Sequence, residues 1–460
     1  MTSTIAAIST PPGTGGIAAI RLSGAQALAI ADRIFTSPSG KRLAEQKAGT
    51  VHFGSIAHSG EAIDEALVSV FRAPASYTGE DTVEISCHGS TYIQQKIMQA
   101  LIDAGAQSAQ PGEFTMRAFL NGKIDLSQAE AVGDLIASGT RAMHRVAMQQ
   151  MRGGYSAEIK ALREKLLHFA SMLELELDFA DEDVDFADRD ELTALLKDIL
   201  RATAKLTDSF AVGNAIKKGI PVVIAGSPNV GKSTLLNALL NEERALVSSE
   251  AGTTRDAIED CVTLGGVLFR FIDTAGIRSG AGYVEQLGID RSYQKLEQAQ
   301  IVLAVLDATL SAAELRSNLL ALLQKVDGKK TTIALLNKAD KVDSAELAEK
   351  ESALQPLCRA LTISAKTRAG MATLEEQLVQ LAALPDNLDV GIVSNLRHYE
   401  ALASAQQALT RALEGLDGKL GEELIAFEIR EAAQRLGSIT GAIADTDILD
   451  NIFKNFCIGK

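Results

Sequence analysis

The sequence predicts a multidomain chain of α/β and α class, in which an α/β domain carrying a phosphate loop is inserted into a helical domain and a small α+β domain comes first. Three observations carry this. The stretch GIPVVIAGSPNVGKSTLLNALL sets an apolar strand, a glycine loop and a helix in succession. Helix-period segments flank it: ALREKLLHFASMLELEL before, LRHYEALASAQQALTRALEGL and EELIAFEIREAAQRLGSI after. The opening residues instead mix short β-like runs, TIAAIST and GIAAIRLSG, with a helical QQKIMQALIDAG. The expected divisions are 1–120 for the α+β domain, 121–217 and 384–460 for the two helical parts, and 218–383 for the inserted domain. Helices separated by a compact insert can pack as one bundle. The acidic run DFADEDVDFADRD reads as a solvated loop.

Length and composition limit the function classes. A chain of 460 residues is too long for one ordinary core, and 46% hydrophobic with 23% charged residues is ordinary globular composition. No stretch approaches the roughly 18 apolar residues of a membrane span, and the first residues lack a basic region followed by an apolar one. A cytoplasmic protein with no membrane association is expected. Cys87, Cys261, Cys358 and Cys457 show no CxxC spacing, which disfavours a zinc site or a disulfide framework. A formal charge of -14 argues against broad nucleic-acid binding, so an RNA substrate needs a local basic patch or a basic partner.

The phosphate loop is read residue by residue. Ile220–Ala225 forms the strand, GSPNVGKS the loop, and a helix starts at Thr234. Gly226 and Gly231 admit backbone N–H groups to the phosphates; Asn229 and Val230 lie within the loop; Lys232 meets β and γ oxygens; Ser233 offers a hydroxyl to Mg²⁺. LFRFIDTAGIR reads as a strand ending at Asp273, the carboxylate for hydrated Mg²⁺, followed by Thr274, Ala275 and Gly276, whose N–H faces a γ-phosphate. IALLNKAD ends in Asn337, Lys338, Ala339 and Asp340. A carboxylate at Asp340 accepts from guanine N1–H and its exocyclic amine, a donor pair that adenine lacks. LTISAK supplies Ser364, Ala365 and Lys366 for the guanine oxygen. In this order the motifs specify GTP over ATP.

SSEAGTTRD, with Ser248, Ser249, Glu250, Ala251, Gly252, Thr253 and Thr254, reads as a switch that closes on Mg²⁺ through Thr254. After DTAG stands Ile277, which cannot orient water as a glutamine does. Asn229 and switch carbonyls can instead cage a monovalent cation, and Glu285 is a candidate for orienting water from longer range.

Elsewhere the reading is sparser. PPGTGG alone is a turn. Cys87 and His88, adjacent on a strand, point to opposite faces and read as structural. The terminal CIGK admits a lipid anchor, a core thiol or a delivered reactive group; it lacks the pattern of a prenylation box and sits too near the end for deep burial. The expectation is a tail anchored by Ile452, Phe453 and Phe456 that brings Cys457 and Lys460 to a ligand site, with Cys457 acting either as nucleophile or as a positioning group.

Taken together, TPPGTGGIAAIRLSG, YTGEDTVEISCHG, PGEFTMRAFLNGKIDLSQAEAV, GSPNVGKST, AGTTRD, DTAGIR, NKAD and FCIGK resemble the tRNA modification GTPase family MnmE, also called TrmE, in matching order from near residue 4 to residue 460. The resemblance implies an N-terminal folate-binding and dimerising domain, a helical domain split by the GTPase domain, and a flavin-dependent partner, MnmG, joined to the homodimer as a heterotetramer. It implies installation of a carboxymethylaminomethyl or aminomethyl group on the wobble uridine of certain tRNAs, with a formyl or methylene tetrahydrofolate as one-carbon donor. It also implies K⁺ at Asn229 and at the carbonyls of Ser248, Glu250 and Thr253, Mg²⁺ at Ser233 and Thr254, folate contacts at Arg21, Glu84, Lys123 and Lys460, and a catalytic Glu285. Arg21, Lys123 and Lys460 suit folate carboxylates chemically. The second reading is a regulatory GTPase switch in ribosome or RNA-protein assembly. It calls for a basic RNA-binding module, and none is visible in the sequence.

Overall fold

The computed structural model describes residues 3–178, 189–240, 260–272, 299–326, 330–382, 391–418, 421–443, 446–454, 456 and 458–459. The chain divides into two compact units: residues 1–133, 150–187 and 418–460 form the first, and residues 134–149 and 188–417 the second.

In the first unit a seven-stranded sheet runs in the order β3-β4-β5-β6-β2-β1-β7. Its strands are β1 (Ile5–Ile8), β2 (Gly15–Ser23), β3 (Phe35–Thr36), β4 (Thr50–His58), β5 (Glu61–Phe71), β6 (Thr82–Gly89) and β7 (Gln107–Ser108). Alternation in β2 and β6 turns Ala18, Ile20, Leu22, Val83, Ile85 and Cys87 into one core with helices α1 (Ala27–Ile34) and α2 (Thr91–Asp103). The same alternation puts Arg21 opposite Glu84. It also separates Cys87 from His88 as expected: Cys87 is buried, its thiol pushed up to about 11 by burial, while His88 lies largely exposed against Asp64. Helices α3 (Glu113–Leu120) and α4 (Leu126–Ile136) follow, then the long α6 (Ser156–Asp178); α5 (Arg141–Met151), between them in sequence, falls mostly in the second unit.

The second unit holds α7 (Arg189–Asp208), α8 (Phe210–Lys218) and a six-stranded sheet ordered β13-β12-β11-β8-β10-β9. Strand β8 (Ile220–Ala225) is followed by α9 (Lys232–Leu240); β9 (Asp260–Leu264) and β10 (Val267–Phe271) form a hairpin; β11 (Ile301–Asp307), α10 (Ala312–Leu323), β12 (Thr331–Asn337), α11 (Ser344–Leu354), β13 (Arg359–Thr362) and α12 (Met371–Leu381) complete it. The hairpin turns on Gly265 and Gly266, both at positive φ, the requirement of the two-residue turn that matches strand twist. All other pairs are parallel. Strands buried on both faces therefore read as continuous apolar runs, IVLAVL and IALL. Two expected boundaries shift. The helix after the phosphate loop begins at Lys232, not Thr234, because the loop's last residues already form its first turn; the LFRFID strand ends at Phe271, short of Asp273.

The remaining helices are α13 (Leu396–Asp417), α14 (Glu422–Thr440) and α15 (Thr446–Phe453). They pair in two couples: α14 packs on α6 in the first unit, α13 on α7 in the second. Ala405, Ala408 and Ala412 on α13 and Ala426, Ala432 and Ala433 on α14 are fully buried, so small side chains let these helices approach their partners closely. The C-terminal tail is anchored as its aromatics predict: Phe453, with Ile452 and Phe456, packs against Leu126, Ala129 and Phe119, and the Phe453 and Phe456 rings lie 5.6 Å apart.

A buried cation ties the first unit together. Arg117, 1% exposed, donates from Nη1 to the Ser3 carbonyl (2.8 Å) and Glu80 Oε2 (3.1 Å), and from Nη2 to Glu113 Oε1 (2.8 Å). Glu80 also accepts from Ser23 Oγ at 2.7 Å. Removing one partner of a desolvated ion cluster leaves the others unpaired. Arg117→Leu is expected to destabilise this unit by about 3–5 kcal/mol, read as an earlier first transition in urea unfolding; unchanged unfolding would show that Glu80 and Glu113 reach water instead.

Candidate functional site

The phosphate loop leaves the C-terminal end of β8, where the strand order reverses between β8 and β11, the usual position of a ligand crevice in an open α/β sheet. Backbone has to approach backbone here. A Cβ on Gly226 would lie 2.3 Å from the Val305 carbonyl oxygen, and one on Gly231 2.3 Å from Asn337 Nδ2. Both glycines also have positive φ. Lys232 folds its ammonium back onto the loop and donates to the Gly226 carbonyl (2.7 Å) and the Ser227 carbonyl (2.9 Å); burial lowers its pKa. A half-buried ammonium coordinated by these carbonyls, at the start of a helix, is a cradle for an anion. Ser233 and Thr234 are exposed in the first turn of α9.

The base-side motifs are joined to this loop. Asn337, buried at the end of β12, donates from Nδ2 to the Val230 carbonyl (2.8 Å) and accepts at Oδ1 from the Ala365 N–H (3.0 Å). One side chain thus ties three predicted segments. Lys338 donates to the Asn229 carbonyl at 2.8 Å. Asp340 is exposed and accepts from the buried Ser364 Oγ at 2.6 Å; that hydrogen bond, with Lys366 and Lys341 nearby, holds its carboxyl below the usual carboxylate value. The group stays ionised to lower pH than a free aspartate, which keeps it a hydrogen-bond acceptor. Ala339 donates to the Ile363 carbonyl at 3.1 Å, and Lys366 is exposed.

Sequence reasoning missed Asp307 and Thr309. Asp307 ends β11 opposite Asn337 in register, and its Oδ2 accepts from Lys338 Nζ at 2.6 Å while Oδ1 accepts from Thr309 Oγ1 at 2.8 Å and Thr309 N at 3.1 Å. Burial would raise its pKa, but these hydrogen bonds outweigh burial and hold it low. The available signal was the single carboxylate closing the apolar run IVLAVLD.

In the first unit Arg21 bonds Glu84 Oε1 through Nε (2.8 Å) and Nη2 (2.7 Å), and its guanidinium lies 5.3 Å from the Tyr77 ring centroid and 5.7 Å from that of Phe114. Burial raises the Tyr77 pKa, so the phenol stays neutral and shares a hydrogen bond with Thr115. Lys123 is exposed and donates to the Pro74 carbonyl at 2.9 Å. The loop between β5 and β6 therefore supplies both Tyr77, beside Arg21, and the backbone that holds Lys123. Tyr77 and Phe114 were not singled out from sequence. The tail reaches the same sheet, where Ser9 Oγ donates to the Gly459 carbonyl at 3.3 Å, just beyond the end of β1. Strand β1 pairs with β2 at Ala7 and Arg21. A flat cationic group near two aromatic rings, with a carboxylate bonded to it, suits a ring bearing amide-like donors and carboxylates.

Ser248, Ser249, Glu250, Ala251, Gly252, Thr253, Thr254, Asp273, Thr274, Ala275, Gly276, Glu285, Cys457 and Lys460 lie outside the described residues.

The glycine geometry makes a prediction. Gly231→Ala is expected to reduce GDP affinity at least a hundredfold, because its Cβ displaces Asn337 and the loop together; titration with a fluorescent GDP analogue measures it, and near-native affinity would show that the loop yields without cost.

Comparison with known proteins accounts for both units. The family model for the GTP-binding protein TrmE N-terminus matches residues 4–123, and the MnmE helical domain model matches residues 126–457. The chain is 52% identical over 463 residues to the tRNA modification GTPase MnmE of Flavobacterium johnsoniae, covering 99% of each chain. It is 50% identical over 463 residues to the protein of that name from Parabacteroides distasonis, covering 100% of each, and 51% identical over 464 residues to that of Bacteroides fragilis, covering 99% of each. Identity of this order along the whole chain, with two family models matched in sequence order, places this chain in the tRNA modification GTPase MnmE (TrmE) family.

Proposed function

We propose that the chain is a K⁺-dependent GTPase of the cytoplasm that works as a homodimer with the flavin-dependent protein MnmG, in a heterotetramer, to install a carboxymethylaminomethyl or aminomethyl group at C5 of the wobble uridine of certain tRNAs. The observation that carries the nucleotide part is the three-way junction at Asn337, which holds the phosphate loop, the Asp340 segment and the Ser364 segment in one frame. Lys232 neutralises phosphate charge, Asp340 reads guanine, and Ser233 offers a hydroxyl to Mg²⁺, which when bound stabilises charge on the phosphate oxygens. Asn229, exposed at the loop's crest, is the described residue that offers oxygen to K⁺, a cation that supplies positive charge near the phosphates. Thr254, Asp273 and the carbonyls of Ser248, Glu250 and Thr253 complete the two ion sites in this reading, and Glu285 orients water.

A tetrahydrofolate in formyl or methylene form is the proposed one-carbon donor. Arg21, Glu84, Tyr77 and Phe114 provide a guanidinium, a carboxylate and two rings within one patch, the donor set such a ligand requires. Lys123 and Lys460 add charge for its carboxylates, and Cys457 is delivered on the anchored tail. A net charge of -14 makes the chain a poor solo binder of tRNA, which favours a partner with basic surface.

Hydrolysis of GTP by the full chain is expected to be at least tenfold faster in KCl than in NaCl at equal ionic strength, with the difference lost in Asn229→Ala; equal rates in the two salts would remove K⁺ from the mechanism. Arg21→Met is expected to weaken binding of 5-formyltetrahydrofolate at least tenfold by calorimetry while leaving GTP hydrolysis unchanged. Unaltered folate affinity would move the ligand away from this patch.

A further inference from the structure

Lys338 does more than its place in the NKAD motif requires. Its backbone is left-handed, φ 68°, and so is that of Asn229 in the phosphate loop, φ 63°. Lysine avoids that region and asparagine is only tolerated in it, so Lys338 has to be held there by its surroundings and Asn229 is selected there by them. A single ammonium meets both needs. Lys338 Nζ donates to the Asn229 carbonyl at 2.8 Å and to Asp307 Oδ2 at 2.6 Å. Asp307 is in turn fixed at its other oxygen by Thr309, through both the hydroxyl and the backbone N–H. Its main chain is immobilised by parallel pairing with Asn337, the residue that also grips the Val230 carbonyl.

We propose that Asp307 is a positioning residue of the nucleotide site: it anchors the Lys338 ammonium on the wall of β11, and through that ammonium sets the position of the Asn229 backbone at the crest of the phosphate loop. Asp307 touches no nucleotide in this role. A lysine without a fixed counter-charge samples many rotamers and donates to one carbonyl only part of the time. Fixed by Asp307, it becomes a strut between the base-reading and phosphate-reading loops. Two consequences separate this from simple support of the sheet. The effect of Asp307 must pass through Lys338, and it must reach Asn229. The second consequence rests on the reading of Asn229 as a K⁺ ligand; the first does not.

The experiment is a double-mutant cycle in the full chain, using Asp307→Asn, Lys338→Ala and the pair together, with GDP affinity measured by a fluorescent GDP analogue and GTP hydrolysis measured against KCl concentration. Asp307→Asn keeps the volume and retains an acceptor for Thr309, so the fold is preserved; thermal unfolding of each variant checks this. Asp307→Asn is expected to weaken GDP binding about tenfold, and the double variant to bind no more weakly than Lys338→Ala alone, because contacting residues in one chain of action are non-additive. The KCl concentration for half-maximal hydrolysis is expected to rise several-fold in Asp307→Asn. Additive losses, or native affinity in Asp307→Asn, would overturn the proposal. If the wild-type chain shows no K⁺ stimulation, the ion reading of Asn229 fails, and the GDP-affinity cycle still decides the role of Asp307. If K⁺ stimulation is present but its half-maximal concentration is the same in Asp307→Asn, the strut does not reach Asn229 and the proposal is overturned on that arm.

Discussion

An anion cradle made of backbone can form only where no Cβ stands between one chain segment and the next, and the nucleotide unit is arranged around that constraint. Gly226 lies so close to the Val305 carbonyl, and Gly231 so close to Asn337, that glycine alone fits at either position. Close approach at Gly226 presses the phosphate loop against β11; close approach at Gly231 brings Asn337 into hydrogen-bond range of Val230. The parallel sheet then does the rest. Register between β11 and β12 sets Asp307 beside Asn337, and register between β12 and β13 sets the Ser364 segment under Asp340. The same packing thus holds the phosphate loop, the Asp340 segment and the Ser364 segment in one frame.

The first unit solves a different problem, that of holding charged groups partly out of water. Arg21 is paired and stacked, whereas Arg117 is fully enclosed among Glu80, Glu113 and the Ser3 carbonyl. Burial of a guanidinium is tolerable because its fork of donors meets two carboxylates and a carbonyl at once. Even so, Arg117 Nε has no partner. The cluster fixes the loop carrying Tyr77 and Thr78 to the helix carrying Phe114, since Glu80 and Ser23 also hold Thr78. Arg21 therefore packs near two rings, Tyr77 and Phe114, carried on segments that the buried Arg117 cluster holds together.

What was legible in the sequence was local. Strand β8 spans the residues its apolar run defines, and the loop glycines are placed by a spacing of a few residues. The opposition of Cys87 and His88 follows from the period of a strand. What was not legible depends on pairs far apart in the chain. Asp307 acquires meaning only from a lateral register with Asn337, and Arg117 only from Glu80, 37 residues away. The helical flanks make the same point. Their period shows which faces are apolar, yet nothing in that period states that α14 packs on α6 and α13 on α7, because many amphipathic faces are equally acceptable partners. The helix start at Lys232 escaped for a related reason: a lysine and a serine contribute to the first turn through backbone geometry, which their side-chain chemistry does not announce.

Two left-handed residues facing each other across the site define how binding energy is distributed. The left-handed region costs a residue such as lysine roughly 1–2 kcal/mol and is better tolerated by asparagine, so Lys338 in particular stores strain that a loop free of neighbours would release by relaxing. The Lys338 ammonium opposes that release in the absence of nucleotide, because its bonds to the Asn229 carbonyl and to Asp307 are made within the protein itself. A phosphate loop held in this way is already ordered when GTP arrives, and less of the nucleotide's interaction energy is consumed in ordering it.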